Sequence, residues 1–343
     1  MSKRTEINEL GEFGLIDRLT QGFDNRNEST KIGVGDDAAV LDGGKDYILL
    51  STDMLVEGVH FDLAYMPIQH LGYKAISINV SDIAAMNGFP QQVVIGLGLS
   101  NRFSVEAVDL LYKGMEAACK DFGVDLVGGD TTSSKSGLII SVAITGSVER
   151  DKVTLRSKVE KGDIICATGD LGGAFIGLQV LEREKQVFLS NPDMQPDLKK
   201  YAYITGRQLK PKARMDIIHE LAESNVRPKA MIDISDGLAS ELFHLSKQSG
   251  VGFFIYEDKL PIDKQTYDTA VEFNIDPVTA VMNGGEDYEL LFSIGQNDFE
   301  KLKNHPDIHF IGYAAEKEKG INLVTKNQNV VPIQAQGWDH FKA

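Results

Sequence analysis

Residues 67–100 read PIQHLGYKAISINVSDIAAMNGFPQQVVIGLGLS, and this stretch indicates the fold class. Its first part predicts a helix over 67–86 that has Pro67 in its first turn and is stopped by the following NGFP. The apolar run QVVIGLGLS then predicts a strand. Before it, DYILLSTD (46–53) also predicts a strand, and Ser104–Phe122 afterwards predicts a helix. This alternation is typical of α/β or α+β proteins, in which helices pack on sheets.

The chain is expected to form two domains. Its 343 residues exceed the length that one hydrophobic core usually supports. After two more predicted strands, GVDLVGGD (123–130) and GLIISVAITGSV (137–148), the polar stretch ERDKVTLRSKVEKGD follows. We therefore predict a first domain over residues 1–150 and a second over residues 151–343.

The second half repeats the pattern of strand, turn and helix. DIICATGDLGGAFIGLQVLERE (163–184) and KAMIDISDGLASELFHLSKQSG (229–250) each predict such a unit, and a glycine closes the second. GGEDYELLFSIG (284–295) predicts a turn that enters a strand. The polar segment 185–213 predicts an irregular or helical insertion, and the sequence leaves its role open.

Charge and composition argue against several classes of partner. The chain has 50 acidic and 35 basic residues, a net charge of -15, so we expect it to bind neither nucleic acid nor anionic membranes. No run approaches the roughly 20 apolar residues that span a bilayer, and the N-terminus lacks a signal-peptide core. The two cysteines, Cys119 and Cys166, are far apart and favour a reducing compartment. We therefore expect a cytoplasmic protein.

Acidic residues recur beside predicted strands. Asp53 closes LLSTD, Asp130 closes LVGGD, Asp233 and Asp236 lie in MIDISDG, and Glu286 opens GGEDYELLF. Loops at strand ends are where α/β folds build their sites, whereas surface acids fall anywhere. The recurrence predicts that these carboxylates belong to one site.

Two further acidic positions suggest a cation. Asp36 and Asp37 are adjacent in GVGDDAAVLD (33–42) and repel each other, so they are either solvated or hold a cation. Asp82 lies near the C-terminal end of a predicted helix among apolar residues, where the helix dipole disfavours it by roughly 0.3–1 kcal/mol. It has no Lys or Arg three or four residues away, so it either faces water or binds a metal.

The donor types indicate which metal. Carboxylates with neighbouring hydroxyl groups suit Mg²⁺ or Mn²⁺ rather than zinc or copper, and EF-hand and HExxH patterns are absent. The P-loop and the kinase glycine-rich loop are absent as well. The residues alone therefore predict a Mg-dependent enzyme of phosphate chemistry. A two-metal phosphatase and an acidic scaffold protein stay open as alternatives.

A set of short motifs, taken in their order along the chain, indicates a protein family. These are GVGDDAAVL, STDMLVEGVHF, SDIAAMNGFP, GGDTT, DISDGL, GGEDYELLF and GWDHF. From about Glu12 to Phe341 the sequence resembles the thiamine-monophosphate kinase family, which belongs with aminoimidazole ribonucleotide synthetase and selenophosphate synthetase. The resemblance implies an N-terminal α/β domain whose sheet forms a homodimer and a C-terminal α+β domain. It also implies transfer of the γ-phosphoryl group of ATP to thiamine monophosphate. Another ATP-dependent synthetase of the superfamily is the nearest alternative.

The resemblance also implies roles for individual residues. The implied ligands of several Mg²⁺ ions are Asp37, Ser51, Thr52, Asp53, Asp82, Asp130, Asp233 and Asp236. The implied ATP contacts are Tyr112, Gly129, Asp130, Arg156 and Ser235. The implied thiamine monophosphate contacts are His60, Glu286 and Trp338. For Tyr112, Arg156, His60 and Trp338 an ordinary structural role is the alternative.

The implied mechanism is direct in-line transfer without a phosphoenzyme. The acceptor is a phosphate with a second pKa of about 6, so its oxygen is already largely deprotonated at neutral pH. No residue is therefore needed as a general base. Catalysis would consist of positioning and of charge shielding by metal ions.

Overall fold

A computed structural model describes residues 10–194, 196 and 198–334. Its helices are α1 Gly11–Thr20, α2 Ile68–Ala85, α3 Val105–Phe122, α4 Gly173–Ser190, α5 Ala202–Leu209, α6 Met215–Glu223, α7 Leu238–Ser249, α8 Lys264–Glu272, α9 Pro277–Asn283 and α10 Phe299–Leu302. Its strands are β1 Thr30–Ile32, β2 Ala39–Asp42, β3 Tyr47–Val56, β4 Phe89–Leu99, β5 Asp125–Ser133, β6 Ile139–Val148, β7 Ile164–Thr168, β8 Ala230–Asp233, β9 Val251–Tyr256, β10 Leu290–Ile294, β11 Ile308–Glu316, β12 Ile321–Val324 and β13 Val330–Pro332.

The first sheet has six strands in the order β1-β2-β3-β6-β4-β5. Of its strand pairs in the described residues, only β4–β5 is parallel. Side chains along β6 alternate between buried and half-buried, as expected of a sheet that is covered on one face. Helix α2 packs across that face, on β3 and β6, and α3 packs on α2. The opposite face carries apolar side chains that lie open to solvent, such as Leu50, Met54 and Val94.

Helix α2 is the buried centre of the first half. Most of its residues are buried, because the sheet, α3 and the second half of the chain surround it. Two glycines permit the close approach of α2 and α3. A Cβ atom on Gly72 would lie 2.0 Å from the Leu111 carbonyl oxygen, and one on Gly114 would lie 1.9 Å from that of Gln69. Glycine is therefore required where the two helices cross.

The second sheet has seven strands in the order β13-β12-β9-β11-β7-β10-β8. Its strands pair antiparallel except for β9 and β12. Helix α7 packs on β8 and β9, while α4 packs on α5, α8 and α9. The mixed α/β content that the sequence predicts is confirmed.

Several predicted elements match closely. The helix predicted over 67–86 is α2, and the one predicted over 104–122 is α3. At α3, Ser104 accepts the N-cap hydrogen bond and Gly123 ends the helix in a left-handed conformation. The segment 185–213 is largely helical, since it contains the end of α4 and all of α5.

Two strand ends were predicted wrongly. Asp53 does not close a strand, because β3 continues to Val56, and Asp130 lies inside β5 rather than at its end. In β3 the cause is its ten-residue pairing with β6, which keeps the backbone extended beyond the polar Ser-Thr-Asp sequence. In β5 the cause is pairing with β4, which continues to Ser133.

Candidate functional site

Three carboxylates from distant parts of the chain form a cluster. Asp37 lies between β1 and β2, Asp82 in the last turn of α2, and Asp233 at the end of β8. An oxygen atom from each lies within 4.8 Å of one from each of the others. We call these three residues the aspartate cluster. Because Asp233 belongs to the second sheet and the other two to the first half, the cluster forms where the two halves meet.

Hydroxyl and amide groups of the first half organise this cluster. Ser51 Oγ donates to Asp82 Oδ2 at 2.5 Å, and Ser81 Oγ donates to Asp233 Oδ2 at 2.6 Å. Asp53 is two residues after Ser51 in β3 and faces α2 from the same side of the sheet. Its backbone N–H donates to Asn79 Oδ1 of α2 at 3.1 Å. Sequence reasoning missed Ser81 and Asn79, although both are polar residues in a largely buried helix.

The cluster carries more negative charge than its surroundings neutralise. Burial raises the pKa of Asp53 to about 6. Burial, together with the neighbouring Asp53, Asp233 and Asp37, raises the pKa of Asp82 well above its ordinary value. Burial and Asp37 raise the pKa of Asp233 to about 8. A bound cation would favour the charged forms of these groups and so relieve the repulsion.

The adjacent aspartates at 36 and 37 share Arg156. Asp37 forms a two-pronged ion pair with it, at 2.8 Å to Nη2 and 3.1 Å to Nε. Asp36 accepts the backbone N–H of Arg156 at 2.7 Å. The two carboxylates are thus held apart by different atoms of one residue. Arg156 is thereby placed directly beside the aspartate cluster.

The DISDG and GGEDYEL segments are bonded to each other through their backbones. Glu286 N–H donates to the Ser235 carbonyl at 2.7 Å, and Tyr288 N–H donates to that of Ile234 at 2.9 Å. Gly285 is required there, since a Cβ atom would lie 2.3 Å from the Ser235 oxygen. Glu286 itself has a φ of 66°, which an L residue rarely adopts. This pairing fixes the backbone of Glu286 beside Ser235 of the DISDG segment.

The remaining acids of GGEDYEL have structural partners. Asp287 accepts the backbone N–H groups of Gly172 and Ala174 at the start of α4, at 2.6 and 3.2 Å. Glu289 is buried and accepts from Arg207 and Arg214, each at 2.7 Å. Burial alone raises the pKa of Glu289, but the two guanidinium groups outweigh it and leave the pKa below its ordinary value. No sequence signal links these partners, which come from separate segments.

Sequence reasoning missed one further acid, Glu241. Glu241, in the first turn of α7, is buried and accepts the backbone N–H of Asp236 at 3.1 Å. Burial, followed by the nearby Asp236 and Asp233, raises its pKa well above the ordinary value. An acid three or four residues into a helix after a DG turn is a recognisable capping pattern. Its carboxylate adds to the negative charge beside the cluster.

Some predicted site residues lie elsewhere in the described structure. The hydroxyl of Thr52 points to the other face of the sheet and donates to the Val142 carbonyl at 2.8 Å. Asp130 is exposed on the edge strand β5. The adjacent Gly129 lies close against β4, since a Cβ atom there would lie 2.1 Å from the Ile95 carbonyl oxygen. Tyr112 packs half-buried against the core of the first half. Their roles in binding stay predictions.

His60 and Trp338 are predicted to contact thiamine monophosphate. His60 Nδ1 accepts the backbone N–H of Val56 at 3.0 Å, which fixes the ring at the end of β3. When this ring is neutral, its proton is therefore on Nε2. Trp338 lies outside the described residues.

The two halves of the chain match the two domain models of one protein family. Residues 35–148 match the family model for the N-terminal domain of AIR synthase related proteins, and residues 160–325 match the model for their C-terminal domain. The thiamine-monophosphate kinase of Bacillus subtilis is 32% identical over 339 residues, which are 97% of this chain and 100% of the relative. The chain belongs to the thiamine-monophosphate kinase family. The family member from Aquifex aeolicus is 33% identical, over 98% of this chain and 99% of its own.

A solved structure of the family supports the same fold. The structure of AaThiL complexed with AMPPCP and TMP has a TM-score of 0.84 at 31% identity, and the match covers 99% of this chain and 100% of that one. The predicted aminoimidazole ribonucleotide synthetase-like fold is confirmed by this match and the two domain models. Among the helices of the part of the chain that the structure describes, none combines the length and apolar character of a membrane span.

Proposed function

We propose that this chain phosphorylates thiamine monophosphate with ATP, giving thiamine diphosphate and ADP. Membership of the thiamine-monophosphate kinase family supports this, as does the likeness to a structure that holds AMPPCP and TMP together. The aspartate cluster is the single observation in this chain that carries the proposal, because its charge calls for the cations that phosphoryl transfer uses.

The residues present fit Mg²⁺. The cluster offers carboxylate oxygens within 4.8 Å of one another, with the Ser51 hydroxyl adjacent, and these hard donors suit that ion. We propose that the ions are held by Asp37, Ser51, Thr52, Asp53, Asp82, Asp130, Asp233 and Asp236. When bound, Mg²⁺ would offset the negative charge of the phosphates and of the transferring phosphoryl group.

The chain's own residues position the two substrates. We assign ATP contacts to Tyr112, Gly129, Asp130, Arg156 and Ser235, and thiamine monophosphate contacts to His60, Glu286 and Trp338. Arg156 has a guanidinium group suited to phosphate oxygens, and ATP would compete with Asp37 for it. Glu286 suits the cationic organic part of thiamine monophosphate, since a carboxylate repels the phosphate end. The mechanism is direct in-line transfer to an acceptor oxygen that needs no general base.

The proposal also covers the domain bounds, the oligomeric state and the location of the protein. We propose domains over residues 1–150 and 151–343, and a homodimer formed through the open apolar face of the first sheet. Leu50, Met54 and Val94 on that face are 41–55% exposed, which favours association with a second such face. Cys119 and Cys166 are both free thiols, which favours a reducing, cytoplasmic location.

Product analysis tests the proposed function. Purified protein is mixed with ATP and Mg²⁺, together with thiamine monophosphate in one tube and free thiamine in another. We expect thiamine diphosphate and ADP in equal amounts, only in the first tube and not when a chelator is present. Release of inorganic phosphate from thiamine monophosphate without ATP would instead identify a phosphatase. Intact ATP in the first tube would overturn the proposal.

A further inference from the structure

Lys74 is an unusual residue for the middle of a buried helix. It lies in α2 between Tyr73 and Ala75, and its side chain is 0% exposed. A buried ammonium group is strongly unfavourable unless it is paired and hydrogen-bonded. The partners of Lys74 therefore indicate why a lysine occupies this position.

Those partners lead directly to Glu286. Lys74 Nζ lies 2.8 Å from Glu286 Oε1 and donates to the Gln208 carbonyl at 3.3 Å. The side-chain amide of Gln208 donates to Glu286 Oε2. Both carboxylate oxygens of Glu286 are thus held, one from α2 and the other from α5.

The backbone of Glu286 is fixed as well. Its N–H group donates to Ser235, and its positive φ is maintained by the paired DISDG and GGEDYEL segments. The carboxylate nevertheless remains 27% exposed. It is therefore immobilised from the interior and still accessible to a ligand.

Stability alone does not account for this arrangement. Replacing a buried ion pair with apolar residues of similar volume is often neutral or stabilising, so such a pair is weak support for a purely structural role. Glu286 also occupies a strained backbone position that a core ion pair does not require. One further acceptor, Gln208 Oε1, is buried beside the pair without a hydrogen-bond partner in the described structure.

We propose that Lys74 and Gln208 are positioning residues that hold the Glu286 carboxylate in place for the organic, cationic part of the substrate. This inference rests on the proposed function and deepens it. Helix α2 also carries Asp82, eight positions after Lys74, which is about 12 Å along the axis. One rigid helix therefore sets the spacing between the group that receives the organic end and the cluster where the phosphate reacts.

The test measures the substrate dependence of Lys74→Met. Methionine keeps the length and apolar body of the side chain but removes its charge. We expect the KM for thiamine monophosphate to rise about tenfold or more, because Glu286 loses a charged hydrogen bond. The kcat and the KM for ATP should change less than about threefold, since the aspartate cluster is untouched. Lys113→Met, which removes an exposed lysine of α3, is the matched control and should change none of these values.

A double-mutant cycle separates positioning from a general structural effect. Glu286→Gln should raise the same KM, and the double variant should be no worse than the more damaged single variant, because Lys74 acts through Glu286. Multiplying effects, or an unchanged KM in folded Lys74→Met, would overturn the inference. If Lys74→Met does not fold, Gln208→Met removes the other hydrogen bond and must raise the same KM. Absence of thiamine monophosphate turnover in the unsubstituted protein would instead overturn the proposed function, and the inference with it.

Discussion

Asp82 illustrates how burial and charge act on a single side chain. Its carboxylate accepts from Ser51 and lies among Asp37, Asp53 and Asp233, so repulsion and loss of hydration both oppose its ionised form. The bonds that the protein supplies do not cancel these effects, because the pKa of Asp82 remains well above its ordinary value. The proposed binding of a cation would offset this repulsion, which the protein's own hydrogen bonds leave in place.

Asp82→Asn tests whether the Asp82 carboxylate is needed for turnover and lowers the stability of the protein without metal. We expect turnover to be lost, while the free energy of unfolding at pH 8 with chelator rises by about 1–2 kcal/mol because one repelling carboxylate is gone. Urea unfolding and the coupled ADP assay measure the two effects. Asp109→Asn removes an exposed carboxylate of α3 and should leave both unchanged. Normal turnover in Asp82→Asn would exclude Asp82 from metal binding.

Arg156 forms an ion pair with Asp37, so its removal should alter the affinity of the proposed site for a metal ion. We expect Arg156→Met to bind Mn²⁺ roughly tenfold more tightly without ATP, since one competing positive charge is lost. The same variant should bind ATP more weakly. Electron paramagnetic resonance titration measures free Mn²⁺ directly, with Arg150→Met, which loses a pair to Asp42, as the control. Unchanged Mn²⁺ affinity would show that the pair does not compete with the cation.

At the scale of elements, α2 connects the whole site. It supplies Asp82 to the aspartate cluster, the Ser81 hydroxyl that donates to Asp233, and the Lys74 ammonium group that pairs with Glu286. It is held against α3 at two glycines. Any displacement of α2 would therefore move the proposed metal ligands and the proposed substrate contact together. Its position depends on the close helix crossing.

Gly114→Ala tests the importance of that crossing. The new Cβ atom would lie 1.9 Å from the Gln69 carbonyl oxygen, so the helices must separate, and we expect a loss of about 1–3 kcal/mol in unfolding free energy. Gly206→Ala in α5 is the matched control, because nothing lies within 4 Å of its added Cβ atom. That control should stabilise the protein by about 0.5–1 kcal/mol. Equal stability of the two variants in urea would contradict the close-packing account.

For the whole molecule, the buried acids predict how stability depends on pH. The pKa of Asp233 rises from 3.8 to about 8 on folding, so the folded state retains a proton that the unfolded state has released. The stabilisation that this proton gives the folded state is complete below pH 4 and is lost as the pH rises towards 8. Between pH 6.5 and 8 we expect chelated protein to lose up to about 1.4 kcal/mol per pH unit from this group. Asp233→Asn or added Mg²⁺ should flatten the profile measured by urea unfolding, and a slope unaffected by either would contradict this account.

Association is the second property of the whole molecule that can be tested. Leu50 is 41% exposed on the open face of the first sheet, and Leu50→Arg would place a charge in the proposed dimer interface. We expect sedimentation to show a dimer for the unsubstituted protein and a monomer for Leu50→Arg. Leu189→Arg, at a 62% exposed position near the end of α4, is the control and should remain dimeric. A monomeric unsubstituted protein would remove the dimer from the proposal.

Local signals predicted much of the fold. Pro67 and the NGFP stop predicted the bounds of α2, because turn signals act within a few residues. The helix predicted over Ser104–Phe122 is α3. The ends of β3 and β5 were missed, since strand length depends on a partner strand that is remote in sequence. Asp82 was singled out as a helix acid without a nearby cation; it lies in the aspartate cluster, and its role as a metal ligand stays a prediction.

The sequence by itself determined the alternation of strands and helices, the types of donor atoms and the family. These are properties of local spacing and residue chemistry, which are readable without coordinates. Only the tertiary structure decided which carboxylates meet, that Arg156 binds Asp37, and that Lys74 and Gln208 hold Glu286. Such contacts join residues far apart in the chain, and packing around α2 brings them together. No local sequence pattern specifies which distant side chain will be the partner in a hydrogen bond.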